Sequence, residues 1–212
     1  MKSKLTIIIP THNRPVLFKR CLNSALKNKP ESVEILVNND SSDIEEIHHP
    51  NVKYYYKKYD NFFNCFLFLI SKVKTEYFYI LEDDDILSHT FYNNLKFLDG
   101  KNDLIKGFYV NCETRKTYLE RVVRDDGFEW FQFSQIIFKT SIFDVPKLEF
   151  KCSPCIHLDW YIYQHLSKKY KVLKTKNIFF IQTCDGEDNV SFPEFSNLEK
   201  CKFCKFPYMK ND

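Results

Sequence analysis

Through the first half of the chain, short apolar runs alternate with polar clusters and stretches of helix length, and few architectures accept that order. Leu5 to Ile9 is a compact, largely β-branched run closed by Pro10, which reads as a buried strand. Pro15 stands where a first helical turn begins, and Val16, Leu17, Cys21, Leu22 and Ala25 recur behind it at helical spacing. Val33 to Val37 is a second strand running into Asn38-Asn39-Asp40-Ser41-Ser42-Asp43, and Val52 to Tyr56 is a third. Phe62 to Val73 has the length of a helix, and Tyr77 to Leu81 is a fourth strand leading straight into Glu82-Asp83-Asp84-Asp85. Strands interleaved with helices build βαβ units, so the expected fold class is α/β: a twisted, mainly parallel sheet flanked by helices. The second half is less regular. Leu104 to Val110, Tyr118 to Val123 and Lys171 to Ile181 read as strands, Phe128 to Phe138 as extended chain, and Leu158 to Leu166 as helix.

Composition removes several classes. A chain of 212 residues with 44% apolar and 28% charged side chains supports one domain with a real core. A net charge of +3 leaves no strongly basic face, so nucleic acid is not an expected partner. The apolar start before Pro10 is too short for a signal sequence, and Phe62 to Ile70 is too short to span a membrane. A soluble, cytoplasmic protein is expected. With 21 Phe and 13 Tyr, aromatic clusters carry little information by themselves. Eight cysteines include two C-x-x-C pairs, Cys152/Cys155 and Cys201/Cys204. Such pairs suit zinc, but residues 156 to 200 separate them, so reduced thiols are the default expectation.

In an open α/β sheet, ligands bind beyond the carboxyl ends of the strands, where the strand order reverses. Three polar clusters follow apolar strands here: Thr11 to Arg14, Asn38 to Asp43 and Glu82 to Asp85. Parallel pairing of those strands brings all three to one edge. The four consecutive carboxylates repel one another, and no Lys or Arg is adjacent in sequence. A divalent cation with hard oxygen ligands, Mn²⁺ or Mg²⁺, is the natural counter-charge. On extended backbone Asp83 and Asp85 share a side while Asp84 points away. A shift of one residue makes Glu82 and Asp84 the working pair instead.

Together these motifs carry a family resemblance. LTIIIPTHNRP at residues 5–15, VNNDSSD at 37–43 and LEDDDIL, with its Asp-x-Asp motif, at 81–87 resemble nucleotide-sugar glycosyltransferases of the GT-A fold. The chain is most similar to glycosyltransferase family 2, over about its first hundred residues. The resemblance implies one GT-A domain over residues 1–212, divided into a donor half (1–100), an acceptor half (101–190) and a tail (191–212). Pro10, Thr11, Asn13 and Arg14 would line the nucleotide pocket. Asn38 and Asn39 stand where the family carries an acidic reader of the uracil imide, Asn39 the better placed. Asn64 would reach ribose or phosphates. Asp83 and Asp84 would contact the donor, with Asp85 and Asp83 as metal ligands.

In the second half the resemblance makes Asp159, at the start of a late helix, the general base; a carboxylate stabilised by the helix dipole is the competing reading. Trp130 and Trp160 suit either sugar stacking or the core. Asp185 and Asp188 are either an extra ligand for metal or phosphate or part of a solvated loop. The implied activity is metal-dependent transfer of a hexose from a nucleoside diphosphate donor, a UDP-sugar, to a glycan or other sugar-containing acceptor, by this chain or by a longer enzyme of which it is a domain. Two alternatives stay open: a non-catalytic carbohydrate- or zinc-binding module, and a sugar-nucleotide nucleotidyltransferase. The latter would need a Gly-rich, Lys-containing loop where THNRP stands.

Overall fold

The structure is a computed structural model and describes residues 4–41, 46–59, 62–112, 117–118, 121–124, 128–130, 132–143, 158–183, 198–200 and 207–209. Its elements follow the expected order: β1 (Leu5–Thr11), α1 (Pro15–Leu26), β2 (Val33–Asn39), β3 (Val52–Tyr55), α2 (Phe62–Lys72) and β4 (Tyr77–Ile80). Beyond them come β5 (Ile86–Leu87), β6 (Leu104–Asn111), β7 (Thr117–Tyr118), β8 (Arg121–Arg124), β9 (Phe128–Trp130), β10 (Ile136–Lys139), α3 (Leu158–Ser167), β11 (Val172–Gln182), β12 (Leu198–Lys200) and β13 (Pro207–Met209). Of the run from Tyr118 to Val123, β7 pairs with β6 and β8 pairs with β9, and residues 119–120 lie outside the described ones. The stretch from Phe128 to Phe138 is broken by a short 3-10 turn at Phe133–Gln135, where Gln132 N–H donates to the Gln135 side chain at 3.3 Å.

One large sheet runs in the order β3-β2-β1-β4-β10-β6-β11-β5, with β7 paired to β6. The strands β3, β2, β1 and β4 are mutually parallel. Strand β10 is antiparallel to both β4 and β6, and β11 runs parallel to β6. The sheet is therefore mainly parallel, as expected. Alternation along β1 divides the core into two layers. Leu5, Ile7 and Ile9 pack with Phe18, Cys21, Leu22 and Ala25 of α1. Ile8 packs on the other face with Cys65, Phe66, Leu69 and Ile70 of α2, and with Ile162 and Leu166 of α3.

Strand order reverses at β1, with β2 and β3 on one side and β4 on the other. The β1–β4 ladder ends at Ile8, paired with Ile80, whereas β1 continues beside β2 as far as Thr11. Ile8 turns its carbonyl toward β4, accepting from Leu81 N–H at 3.0 Å. Alternation gives Pro10 the same orientation, so the donor that proline lacks falls where no strand needs it. The crevice that such a switch point provides lies there, at the carboxyl ends of β1 and β4.

A second close approach joins β6 to β11. A Cβ built on Gly107 would lie 2.1 Å from the Phe179 ring, and Phe179 is fully buried among Tyr79 and Phe91. The ring has no free space to yield. Gly107→Ala is expected to destabilise the fold by about 1–3 kcal/mol through overpacking, or roughly 2–10 °C in Tm for a chain of this size. Thermal denaturation of the variant checks this; a wild-type Tm would contradict it.

Candidate active site

The crevice at the β1–β4 switch gathers the three polar clusters. Thr11, the last residue of β1, donates its hydroxyl to Asp83 Oδ2 at 2.8 Å. Arg14, at the N-cap of α1, places Nη1 2.9 Å from Asp83 Oδ1 and 3.4 Å from Asp84 Oδ2. The intervening loop is stapled to the turn after β2. His12 pairs with Asp40, Asn13 N–H donates to Ser41 Oγ at 3.2 Å, and Asp40 N–H donates to the Thr11 carbonyl at 3.3 Å. Asn13 adopts a positive φ of 50°, which asparagine accepts more readily than most residues. Part of the counter-charge for the acidic cluster thus comes from a residue some seventy positions away, which adjacency in sequence does not reveal.

The acidic segment is a turn rather than extended chain. Asp85 N–H donates back to the Glu82 carbonyl at 3.1 Å, so the two-residue alternation ceases at Ile80, the end of β4. Asp83 faces Thr11 and Arg14. One carboxylate oxygen each from Glu82, Asp84 and Asp85 lies within 4.8 Å of the others, the one such grouping among the described residues. This oxygen-only donor set suits a hard divalent cation such as Mg²⁺ or Mn²⁺. Asp83, Asp84 and Asp85 are all buried, Asp85 to 3% exposure.

The other expected site residues divide. Asn39 is buried at the end of β2, its side-chain oxygen accepting from the Ser41 backbone N–H and hydroxyl, each at 2.9 Å. A backbone N–H can only donate, so the oxygen of the Asn39 amide is fixed and its NH₂ faces the other way. Asn38 braces a neighbouring loop: its amide donates to the Lys57 carbonyl at 3.0 Å and to Cys65 Sγ at 3.2 Å, and accepts from Lys57 N–H at 3.1 Å. Asn64 is exposed on the first turn of α2, one residue before Cys65. Pro10 lies in β1 beside Asn38. Asp159 is the second residue of α3, so the expected late helix is present; its side chain, like those of Trp130 and Trp160, lies outside the described residues. So do residues 184–197 and both C-x-x-C pairs. Cys21 and Cys65 are buried free thiols; burial pushes Cys65 up to about 12, against the hydrogen bond from Asn38, so the thiol stays protonated and inert.

Two residues of this region escaped the sequence reading. Arg20 Nη2 on α1 donates to the Asp84 carbonyl at 2.8 Å and to Thr183 Oγ1 at 2.6 Å. The Thr183 hydroxyl donates to the same carbonyl. Helix α1 also reaches the turn through the Cys21 thiol, 3.4 Å from the Glu82 carbonyl, and β5 just beyond it through Ser24 Oγ, which accepts from Leu87 N–H at 2.8 Å. The available signal was the helical spacing of Arg20 and Ser24, four apart beside the buried positions Cys21 and Ala25.

Burial holds the Asp85 carboxyl well above the ordinary carboxylate range, and Glu82 and Asp84 push it in the same direction. Asp83 is raised too, mainly by burial, against the pull of Thr11 and Arg14. A carboxyl raised by folding keeps its proton where the unfolded chain has lost it. Ionisation therefore works against the fold, and stability falls as pH climbs from the ordinary carboxylate range through the raised value. In chelator, the Tm should fall between mildly acidic and neutral pH. Asp85→Asn should flatten that decline and raise the neutral-pH Tm by about 3 °C, on the order of 1 kcal/mol. Scanning calorimetry across pH in EDTA checks this; no gain from Asp85→Asn would contradict it.

An uncharacterized glycosyltransferase of Rickettsia conorii is 31% identical over 136 residues, covering 57% of this chain and 22% of that protein. The chain thus spans about a fifth of the length of the curated relatives it matches. Among solved structures, S. aureus TarS 1–349 superimposes with a TM-score of 0.65 at 14% identity, over 85% of this chain and 60% of that one; it has also been crystallised with UDP-GlcNAc. The mannosyltransferase PcManGT of Pyrobaculum calidifontis, in complex with GDP-Man and Mn²⁺, gives a TM-score of 0.58 at 14% identity, over 85% of this chain and 57% of that one. At these identities the likeness establishes the GT-A-like fold. Residues 6–156, well over half of the sequence, match the profile of glycosyl transferase family 2, and the chain belongs to that family.

Proposed function

We propose that this chain transfers a hexose from a nucleoside diphosphate sugar, a UDP-sugar, to a sugar-containing acceptor, using Mn²⁺ or Mg²⁺ held at the acidic turn. The observation that carries the reading is the acidic grouping in the β1–β4 crevice. Arg14 pairs with the Asp83 and Asp84 carboxylates, while carboxylate oxygens of Glu82, Asp84 and Asp85 gather within 4.8 Å of one another, an oxygen set that a divalent cation would balance. The solved complexes of TarS with UDP-GlcNAc and of PcManGT with GDP-Man and Mn²⁺ support the donor class and the metal.

In this reading Asp85 is a metal ligand, with Asp84 and Glu82 completing the oxygen set. Asp83 is the nearer candidate for the ribose or donor sugar, held in place by Thr11 and Arg14. A bound divalent cation would stabilise negative charge on the departing diphosphate as a Lewis acid. Arg14 adds a fixed positive charge at the same edge. Asn39, with its oxygen committed to Ser41, presents N–H groups suited to a carbonyl on the base rather than to the imide N–H. Asp159, at the start of α3, would take the proton from the attacking acceptor hydroxyl in an inverting transfer. Asn13 and Asn64 flank the donor, and residues 101–190 would receive the acceptor.

Calorimetric titration with UDP-GlcNAc and GDP-Man, each with Mn²⁺ or with excess chelator, tests the reading. Clear binding of the UDP-sugar with metal and little without is expected. Asp85→Asn should lower turnover roughly a hundred- to a thousand-fold, on the order of 3–4 kcal/mol of lost transition-state stabilisation. Asp159→Asn should slow transfer while leaving metal-dependent donor binding intact. Equal donor affinity in chelator would remove the metal from the reaction.

A further inference from the structure

We propose that Arg20 and Thr183 are positioning residues: they form a clamp on the backbone of the acidic turn that presets Glu82, Asp84 and Asp85 for a divalent cation. The inference rests on the reading of that turn as a cation site and adds residues from two other parts of the chain.

Three segments distant in sequence meet at one carbonyl oxygen. Asp84 O accepts from Arg20 Nη2 of α1 at 2.8 Å and from the Thr183 hydroxyl, which follows directly on β11. Arg20 Nη2 also reaches Thr183 Oγ1 at 2.6 Å, so each partner steadies the other two. Thr183 Oγ1 is thus at once an acceptor for Arg20 and a donor to the Asp84 carbonyl, which joins α1 and the end of β11 at the turn.

Three observations argue that the clamp serves the turn and not the fold alone. First, β11 is already secured: it pairs with β6 from Val172 to Gln182 and with β5 through Phe180 and Ile181. The Thr183 hydroxyl is not needed to keep the strand in the sheet. Second, the restraints fall on backbone atoms. Arg20 and Thr183 take the carbonyl of Asp84 and the Cys21 thiol takes that of Glu82, so the side chains of both residues are not consumed by the clamp. Third, Glu82, Asp84 and Asp85 bring carboxylate oxygens within 4.8 Å of one another, and a restrained backbone holds that arrangement in place whichever of them carries a proton. Fixing ligands before the ion arrives is what outer-shell partners do at metal sites.

The test uses the whole chain, with Mn²⁺ itself as the probe. Thr183→Val removes the hydroxyl and keeps both the shape and the backbone N–H; Thr183→Ser restores the hydroxyl. Mn²⁺ affinity would be measured by titration calorimetry, Tm in chelator, and turnover as a function of Mn²⁺ concentration. Loss of an outer-shell contact typically weakens metal binding about ten- to a hundred-fold. Thr183→Val is expected to fall in that range and to recover turnover as Mn²⁺ is raised, with its Tm in chelator unchanged. Thr183→Ser should bind Mn²⁺ within about threefold of wild type. Arg20→Lys, which keeps the charge but loses the planar fork, should weaken Mn²⁺ binding as well, and it decides the matter if Thr183→Val does not fold. Wild-type Mn²⁺ affinity in Thr183→Val or Arg20→Lys, whatever happens to Tm, would overturn the clamp, as would equal weakening in Thr183→Val and Thr183→Ser. A wild-type chain that binds no Mn²⁺ would instead sink the cation-site reading, a result visible before any variant is made.

Discussion

Like charges on consecutive residues repel, and this fold places four of them beyond the end of a buried strand. Much of the surrounding architecture offsets that repulsion. Strand β1 outruns β4 so that Thr11 can reach Asp83, and α1 begins at Pro15 so that Arg14 stands at its mouth. The same helix then sends Arg20, Cys21 and Ser24 to the backbone of the turn and of β5. A helix that elsewhere only covers a sheet here also carries the restraints of the site. The apolar face of α1 and its polar contacts are inseparable for that reason: Phe18 and Leu22 dock the helix, and docking sets where Arg20 and Ser24 arrive.

The acidic turn also links the two halves of the chain. It leaves β4 and returns through β5, which pairs antiparallel with β11. A donor-side loop is thereby fixed on its far side to a strand that arrives some ninety residues later. Since β11 in turn lies beside β6, the turn is tied through β5 into the large sheet.

Much of this was legible in the sequence. Hydrophobic runs and Pro15 gave β1, α1, β2, β3, α2 and β4 nearly to the residue, since each has a period or a stop signal that local chemistry imposes. The convergence of Thr11, Arg14 and Asp83 followed from parallel pairing alone. The side on which each carboxylate faces did not, because strand alternation was carried past Ile80 into what is a turn. Arg20 and Thr183 were missed for a different reason: spacing places Arg20 on the edge of the buried face of α1, but the partners of both residues are a backbone carbonyl and each other, and no residue pattern marks a carbonyl in need of a donor. Asn38 shows the converse, a polar residue in a functional stretch whose amide braces Lys57 and Cys65.

Strand β3 lies at one margin of the large sheet, and no described residue pairs with its outer side; at the other margin stands β5, two residues long. An open strand margin is a template for another chain. Here the template is poor at both ends, since β5 offers almost no length and β3 carries Lys53, with Lys57 and Lys58 just beyond it. Stacking two copies margin to margin would bring these ammonium groups together. Lysines along an open margin disfavour ordered aggregation, which a sheet rich in Phe, Tyr and Ile would otherwise invite.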